Sequence, residues 1–240
     1  MSPGTQVAVI VIAGIAGLVR GTTGFGGAMV MSPPLALLLG PRLTVPVVLI
    51  MESFVAVPML LQTRHLINWR MIGIILAAAC FTVPIGALIL THAEPQLLRR
   101  VIAINVIVFS LLLLIGWRYA GRPRVVTSVG LGALSGAMMG ATSIGAPPVI
   151  LYLLSGEDPI ATTRANLNVY VTIGSVISLV ALWYQGIVDA QVGWTTLWLG
   201  PAYFAGLLVG VRLFRRLSDT RFRQLTLVLL ICVSIGILLA

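Results

Sequence analysis

Long uncharged runs dominate the chain. Residues 71–91, 101–117, 165–188, 190–211 and 224–240 contain no Asp, Glu, Lys or Arg. Each approaches or exceeds the ~20 apolar residues that an α-helix needs to cross a bilayer core. Residues 43–63 form another such run, interrupted only by Glu52. The pattern predicts an all-α polytopic membrane protein rather than a soluble domain.

Two regions do not fit single crossings. Residues 1–19 and 21–41 are uncharged and separated only by Arg20. Residues 125–156 are read as one uncharged stretch, which as a single helix would run about 48 Å, too long for one crossing of a ~30 Å core. Both regions carry a glycine cluster, "GTTGFGG" at 21–27 and "GATSIGA" at 140–146, followed by Pro33-Pro34 and Pro147-Pro148. Glycine favours turns, and proline removes a backbone donor and restricts the residue before it. Each region therefore reads as two helical pieces meeting at a break, either a re-entrant hairpin or two full crossings.

The breaks belong to a longer repeat. At a constant offset of 119, Gly17 falls on Gly136, Gly21 on Gly140, Thr23 on Thr142 and Gly26 on Gly145. Further on the offset is 124, with Gly86 on Gly210 and Arg99 on Arg223. The same order recurs twice: break, long helix, polar loop, glycine-bearing helix, Arg-rich loop, last helix. The expected halves are 1–120 and 121–240, joined by "YAGRPRVV" within one membrane domain, each with a broken hairpin and about three further transmembrane helices.

Charge gives the relation between the halves. All 15 basic residues are Arg. In the first half the early loop carries Arg64 and Arg70, and it shares a side with Arg118, Arg122 and Arg124. In the second half the late loop is rich, with Arg212, Arg215, Arg216, Arg221 and Arg223. Positive loops face the cytoplasm, so the repeats are expected to be inverted with both termini outside. Arg99 and Arg100 run against this scheme. An inverted repeat around broken helices is a plan of secondary transporters, with substrate held near the midplane.

The net charge of +9 does not indicate nucleic-acid binding, because no soluble basic domain exists to carry it. No signal-peptide pattern precedes Arg20, so the first apolar segment is expected to be retained. Cys80 and Cys232 lie in apolar segments and read as buried small hydrophobes. Trp69, Trp117, Trp183 and Trp194 lie near helix ends, as interfacial anchors do. The two histidines, His65 and His92, fall in different loops, which leaves neither a metal cluster nor a base for a serine nucleophile. There is no P-loop or dinucleotide fingerprint. The chain is not expected to be an enzyme, and no cofactor is expected.

A helix that begins at the midplane presents free N–H groups and its positive dipole end. Two such ends would form an anion site from backbone around Gly24, Phe25, Gly26, Gly27, Ile144, Gly145 and Ala146. Thr22, Thr23, Thr142 and Ser143 would add hydroxyls. The competing reading is close helix packing, which small residues favour in membranes. Arg20 is either an anion ligand or a gate, or an interfacial Arg reaching water. Glu52 is a candidate coupling group because burial disfavours its charged form, or a structural partner of Arg20. Asn166 and Asn168 follow Arg164 in a segment suited to an inner vestibule. Asn105 reads as an interhelical hydrogen-bonding residue.

The segments "GLVRGTTGFGGAMVMSPPLALLLG" (17–40), "GALSGAMMGATSIGAPPVILYLL" (132–154), "TTRANLNVYVTI" (162–173), "VDAQVGW" (188–194) and "GLLVGVRLFRRLSDTRFRQL" (206–225) resemble the TauE/SafE sulfite exporter-like permeases, also called the 4-toluene sulfonate uptake permease family. The resemblance covers essentially the whole chain. "GFGGA" departs from the family pattern at its last glycine, and "SIGAPP" carries Ala146 where a glycine is usual. The resemblance implies secondary transport of small sulfur-containing anions, such as sulfite, sulfoacetate and other organosulfonates, usually outward. The expected function is thus an inner-membrane anion exporter in the bacterial lipid bilayer, with protons as a candidate coupling ion and a homodimer as a candidate assembly. The alternatives are a passive anion channel and a non-transporting membrane assembly factor.

Overall fold

The computed structural model describes residues 3–117, 119, 124–155, 158–214 and 219–239. Arg118, Arg122, Arg215 and Arg216, and much of the joining segment, lie outside the described residues. The described backbone is helical without strands. Its helices are α1 (Pro3–Thr23), α2 (Gly27–Leu39), α3 (Pro41–Thr63), α4 (Trp69–His92), α5 (Pro95–Leu114), α6 (Val125–Thr142), α7 (Ala146–Leu153), α8 (Ile160–Tyr184), α9 (Ala190–Phe214) and α10 (Asp219–Leu239). Among the described residues seven helices are long and apolar enough to cross a membrane. The protein is a multi-pass, all-α membrane protein.

The two anomalous regions are broken where the glycines stand. α1 stops at Thr23 and α2 starts at Gly27, while α6 stops at Thr142 and α7 starts at Ala146. α2 has 13 residues and α7 has 8, so they run about 20 and 12 Å. Neither crosses a ~30 Å core alone. Each break therefore joins a full-length helix to a short one.

The order of packing interleaves the two expected halves. α1 lies along α9, and α4 lies along α6; α3 packs on α8 and α5 on α10. Lipid tails are as apolar as leucine, so close backbone contact rather than hydrophobic exclusion holds such pairs. Glycine makes that contact possible. A Cβ at Gly21 would fall 2.3 Å from the Leu207 carbonyl oxygen, and one at Gly210 2.3 Å from that of Leu18. On the other pair, a Cβ at Gly140 would fall 2.2 Å from the Val83 oxygen, and one at Gly86 2.1 Å from that of Ala137. These glycines serve packing, as the competing reading had it.

The outlying arginines have structural work. Arg99 Nε donates to the Ala36 carbonyl at 3.0 Å, in the last turn of α2. Arg42 Nη2 donates to Thr91 O at 2.5 Å, near the end of α4. Cations at helix C-termini satisfy orphan carbonyls and oppose the dipole. Gly40 closes α2 with φ 85°, its N–H on Ala36 O, and Pro41 starts α3 at once.

The outer surface is apolar, with residues such as Phe81, Leu197 and Val126 exposed. Trp69, Trp117, Trp183 and Trp194 are exposed at or near helix ends. Cys232 is exposed and Cys80 half-buried, both as free thiols. Their burial is therefore less than expected, because their helix faces turn outward.

Candidate functional site

The two breaks are held open by the same local chemistry. Thr23 Oγ1 donates to Val19 O at 2.8 Å, one turn back, and accepts from the Phe25 N–H at 3.3 Å. Thr142 Oγ1 donates to Met138 O at 2.7 Å and accepts from the Ile144 N–H at 3.3 Å. Both threonines thus clip the end of a helix to the first residues beyond it. The chain then turns through the left-handed region, at Gly24 (φ 78°) in one break and at Ser143 (φ 61°) in the other. These two positions also stand 119 apart. Serine tolerates the conformation only at a cost, and Ser143 Oγ is anchored by Ser32 Oγ at 2.8 Å, which ties the second break to α2.

Between the breaks lies a buried ion pair. Arg20, in the last turn of α1, holds Nε 3.1 Å from Glu52 Oε2 on α3. The Tyr203 hydroxyl, from α9, donates to Glu52 Oε1 at 2.8 Å. Arg20 Nη1 also donates to the Gly24 carbonyl. Gly27 is glycine for a specific reason: a Cβ there would lie 2.2 Å from Glu52 Oε1 and 3.0 Å from the Tyr203 oxygen. The Glu52 carboxylate therefore rests against the first residue of α2, at the positive end of that helix. Removing two charges from water costs several kcal/mol per ion. Such residues inside a membrane protein usually mark a pathway or relay.

A cavity adjoins this pair. Its lining comes from both breaks: Arg20, Phe25, Gly26, Ser143, Ile144 and Ala146, with Glu52 from α3 and Ser175 from α8. Its volume is about 20 Å³, room for about one water, so the site is closed in this conformation. Two polar atoms in its lining residues, Arg20 Nη2 and Ser175 Oγ, have no hydrogen-bond partner among the described residues. A buried donor left unpaired costs about 1–3 kcal/mol, which makes both atoms natural ligands for a bound group.

The expected site residues divide into three sets. Arg20, Phe25, Gly26, Ser143, Ile144, Ala146 and Glu52 come together at the cavity. Thr22, Thr23, Gly24, Gly27, Thr142 and Gly145 shape the breaks without lining it. The Thr22 hydroxyl turns back to Leu18 O and Val19 O at 3.0 Å. Gly145 is packed, since a Cβ there would meet Met139 Cβ at 2.6 Å. Asn166 is elsewhere: its Oδ1 accepts from the Asn68 N–H at 2.8 Å, at the start of α4. Arg164 is exposed, with Nε 3.9 Å from where a Cβ of Gly24 would be. α7 also offers fewer donors than α2, because Pro147 and Pro148 occupy its first turn. Tyr203, Ser175 and Ser32 were not foreseen. The even spread of Ser and Tyr through apolar helices carries no signal that separates these three from the rest.

The two broken helices meet at a small, closed, mostly apolar cavity within a polytopic helical bundle. The sequence model of the sulfite exporter TauE/SafE family matches residues 9–237, and the chain belongs to that family. The family is one of transporters, which suggests a sulfite-exporter-type membrane transporter acting on a small anion. No curated protein and no solved structure matches the chain.

Proposed function

We propose that this protein is a secondary-active permease that exports small sulfur-containing anions, such as sulfite, sulfoacetate or another organosulfonate, across a bacterial inner membrane. It works by alternating access between two inverted repeats, 1–120 and 121–240. The observation that carries the reading is the buried Arg20, which lines a cavity that both breaks share and whose Nη2 has no hydrogen-bond partner among the described residues. A guanidinium matches oxyanions in a fork, and the sulfur chemistry follows from the family.

The repeat supports alternating access. Thr23 and Thr142 are equivalent, and the reciprocal pairs α1–α9 and α6–α4 are what a two-fold relation of the halves requires. Matched glycines meet across those pairs: a Cβ at Gly21 would lie 3.1 Å from the Gly210 Cα, and one at Gly140 3.1 Å from the Gly86 carbonyl carbon. Rocking of one helix pair against the other would open the cavity to alternate sides.

The test is flux into proteoliposomes of labelled sulfite, sulfoacetate, methanesulfonate and sulfate, paired with thermal shift of the purified protein. A bound ligand raises the melting temperature by mass action. Saturable flux of at least one sulfur anion, lost in Arg20→Met, is the expected result. Absence of flux and of any thermal shift across the panel would overturn the reading, and ohmic single-channel current would replace the carrier with a channel.

A further inference from the structure

The position of Glu52 contains more than an ion pair. Its carboxylate lies on Arg20, touches the first residue of α2, and receives the Tyr203 hydroxyl. That is where the two-break arrangement would hold an anionic ligand: on a guanidinium, at a helix N-terminus, beside a small cavity. Glu52 occupies the anion site from within. From this we infer that the protein is an electroneutral symporter of one proton with one monoanion, in which protonation of Glu52 vacates Arg20 for the substrate. The inference rests on the permease reading of this same site.

The exchange follows from the atoms. In the empty site, Glu52 Oε2 faces Arg20 Nε and the pair is neutral. A proton taken from water onto Oε2 breaks that ion pair, while Oε1 keeps the hydrogen bond from Tyr203. The neutral carboxyl then leaves Nε and Nη2 of Arg20 as unpaired donors, and Ser175, whose hydroxyl also has no partner among the described residues, lines the same cavity. A monoanion that takes these donors restores neutrality. Arg20 Nη1 stays on the Gly24 carbonyl and holds the guanidinium in place throughout. On release, substrate and proton leave together and Glu52 returns to Arg20, so export proceeds while the outward anion gradient exceeds the inward proton gradient.

Charge balance makes the coupling obligatory. Carrying a net charge through a low-dielectric interior is expensive. The empty site and the site holding one proton and one monoanion are both neutral; a monoanion without the proton, or a dianion with it, leaves one negative charge unmatched, so bisulfite and simple monosulfonates fit this coupling and doubly charged sulfoacetate does not. The groups facing Glu52 are few. α1 brings Arg20 and α9 brings Tyr203. α2 and α6 carry no charged residue in their sequences, and Arg164, the one charged residue of α8, stands at the Gly24 break. Tyr170 of α8 and Tyr152 of α7 are hydrogen-bonded to Ser135 and Ser128. Glu52 is the acid available to take the proton.

Proteoliposomes containing a trapped pH dye test this with methanesulfonate, a permanent monoanion, and sulfate, a permanent dianion at neutral pH. The expected result is methanesulfonate movement accompanied by protons at a ratio of one, driven by a pH gradient and unchanged by a potassium–valinomycin potential. Sulfate should move at least tenfold more slowly. Glu52→Gln, which keeps the shape and an acceptor for Tyr203, should retain methanesulfonate exchange between the two sides but lose accumulation driven by a pH gradient. Tyr203→Phe should keep the one-to-one ratio, because it only positions Glu52. Potential-driven flux, sulfate moving as fast as methanesulfonate, or pH-driven accumulation surviving in Glu52→Gln overturns the inference and leaves the permease intact. Failure of every anion in the panel to move removes the permease reading, and this inference with it. A Glu52→Gln protein that does not fold is replaced by the wild-type measurements, which decide the stoichiometry alone.

Discussion

The hydroxyls of Thr23 and Thr142 make the same two hydrogen bonds, each to a carbonyl one turn back and from an N–H two residues on. Threonine here is a clip that finishes one helix and fixes the direction of the next. The two breaks are therefore constructed alike, and these two hydroxyls are bonded within their own breaks.

Replacing either clip with valine keeps the shape and strands an N–H group. Thr142→Val should cost about 1–3 kcal/mol, and Thr23→Val somewhat less, because Thr142 is fully buried and Thr23 half-buried. Thermal unfolding in detergent reads the difference. A Thr142→Val protein as stable as wild type would remove the clip.

Small residues at the paired helices give a sharper contrast. Gly21→Ala and Gly140→Ala place a methyl 2.3 and 2.2 Å from backbone oxygens, which no rotamer can relieve, so both should express poorly or run as aggregates on size exclusion. Gly73→Ala meets nothing within 4 Å and should be neutral or gain up to about 1 kcal/mol from helix propensity.

A double-mutant cycle reads the buried pair. Arg20→Met leaves Glu52 without its cation and should cost about 3–5 kcal/mol. Adding Glu52→Gln should recover much of that loss while transport stays absent. If the double variant is no more stable than Arg20→Met alone, the two side chains are not energetically coupled.

Ser175 separates binding from folding. Its hydroxyl has no partner among the described residues, so Ser175→Ala should leave the melting temperature unchanged or slightly higher. Anion affinity, read by ligand-induced thermal shift, should fall about tenfold, equivalent to ~1.4 kcal/mol for one lost hydrogen bond. Unchanged affinity would place the substrate away from α8.

Much of this architecture could be read from one dimension. Uncharged runs locate the helices because a lipid-embedded segment must satisfy its backbone internally. The glycine clusters and their spacing located both breaks to within a residue or two, since a left-handed turn needs glycine or a small polar residue. Arg20 and Glu52 stood out because charge is rare in such segments. Helix ends were placed less well: α4 begins at Trp69 and α5 at Pro95, ahead of their uncharged runs, because helices continue into the interface where Arg is tolerated.

Contacts between distant segments were another matter. Gly27 looked like part of an anion cradle, yet the Glu52 carboxylate fills the space its side chain would take. Tyr203 meets Glu52 across 151 residues of chain, and no local pattern distinguishes it from a lipid-facing tyrosine. Hydropathy and periodicity determine which residues enter the membrane, because insertion depends on composition. Which polar atoms end up paired depends on how α1, α3 and α9 pack together, and only tertiary packing decides that Arg20 meets Glu52 while Ser175 is left with an open hydroxyl.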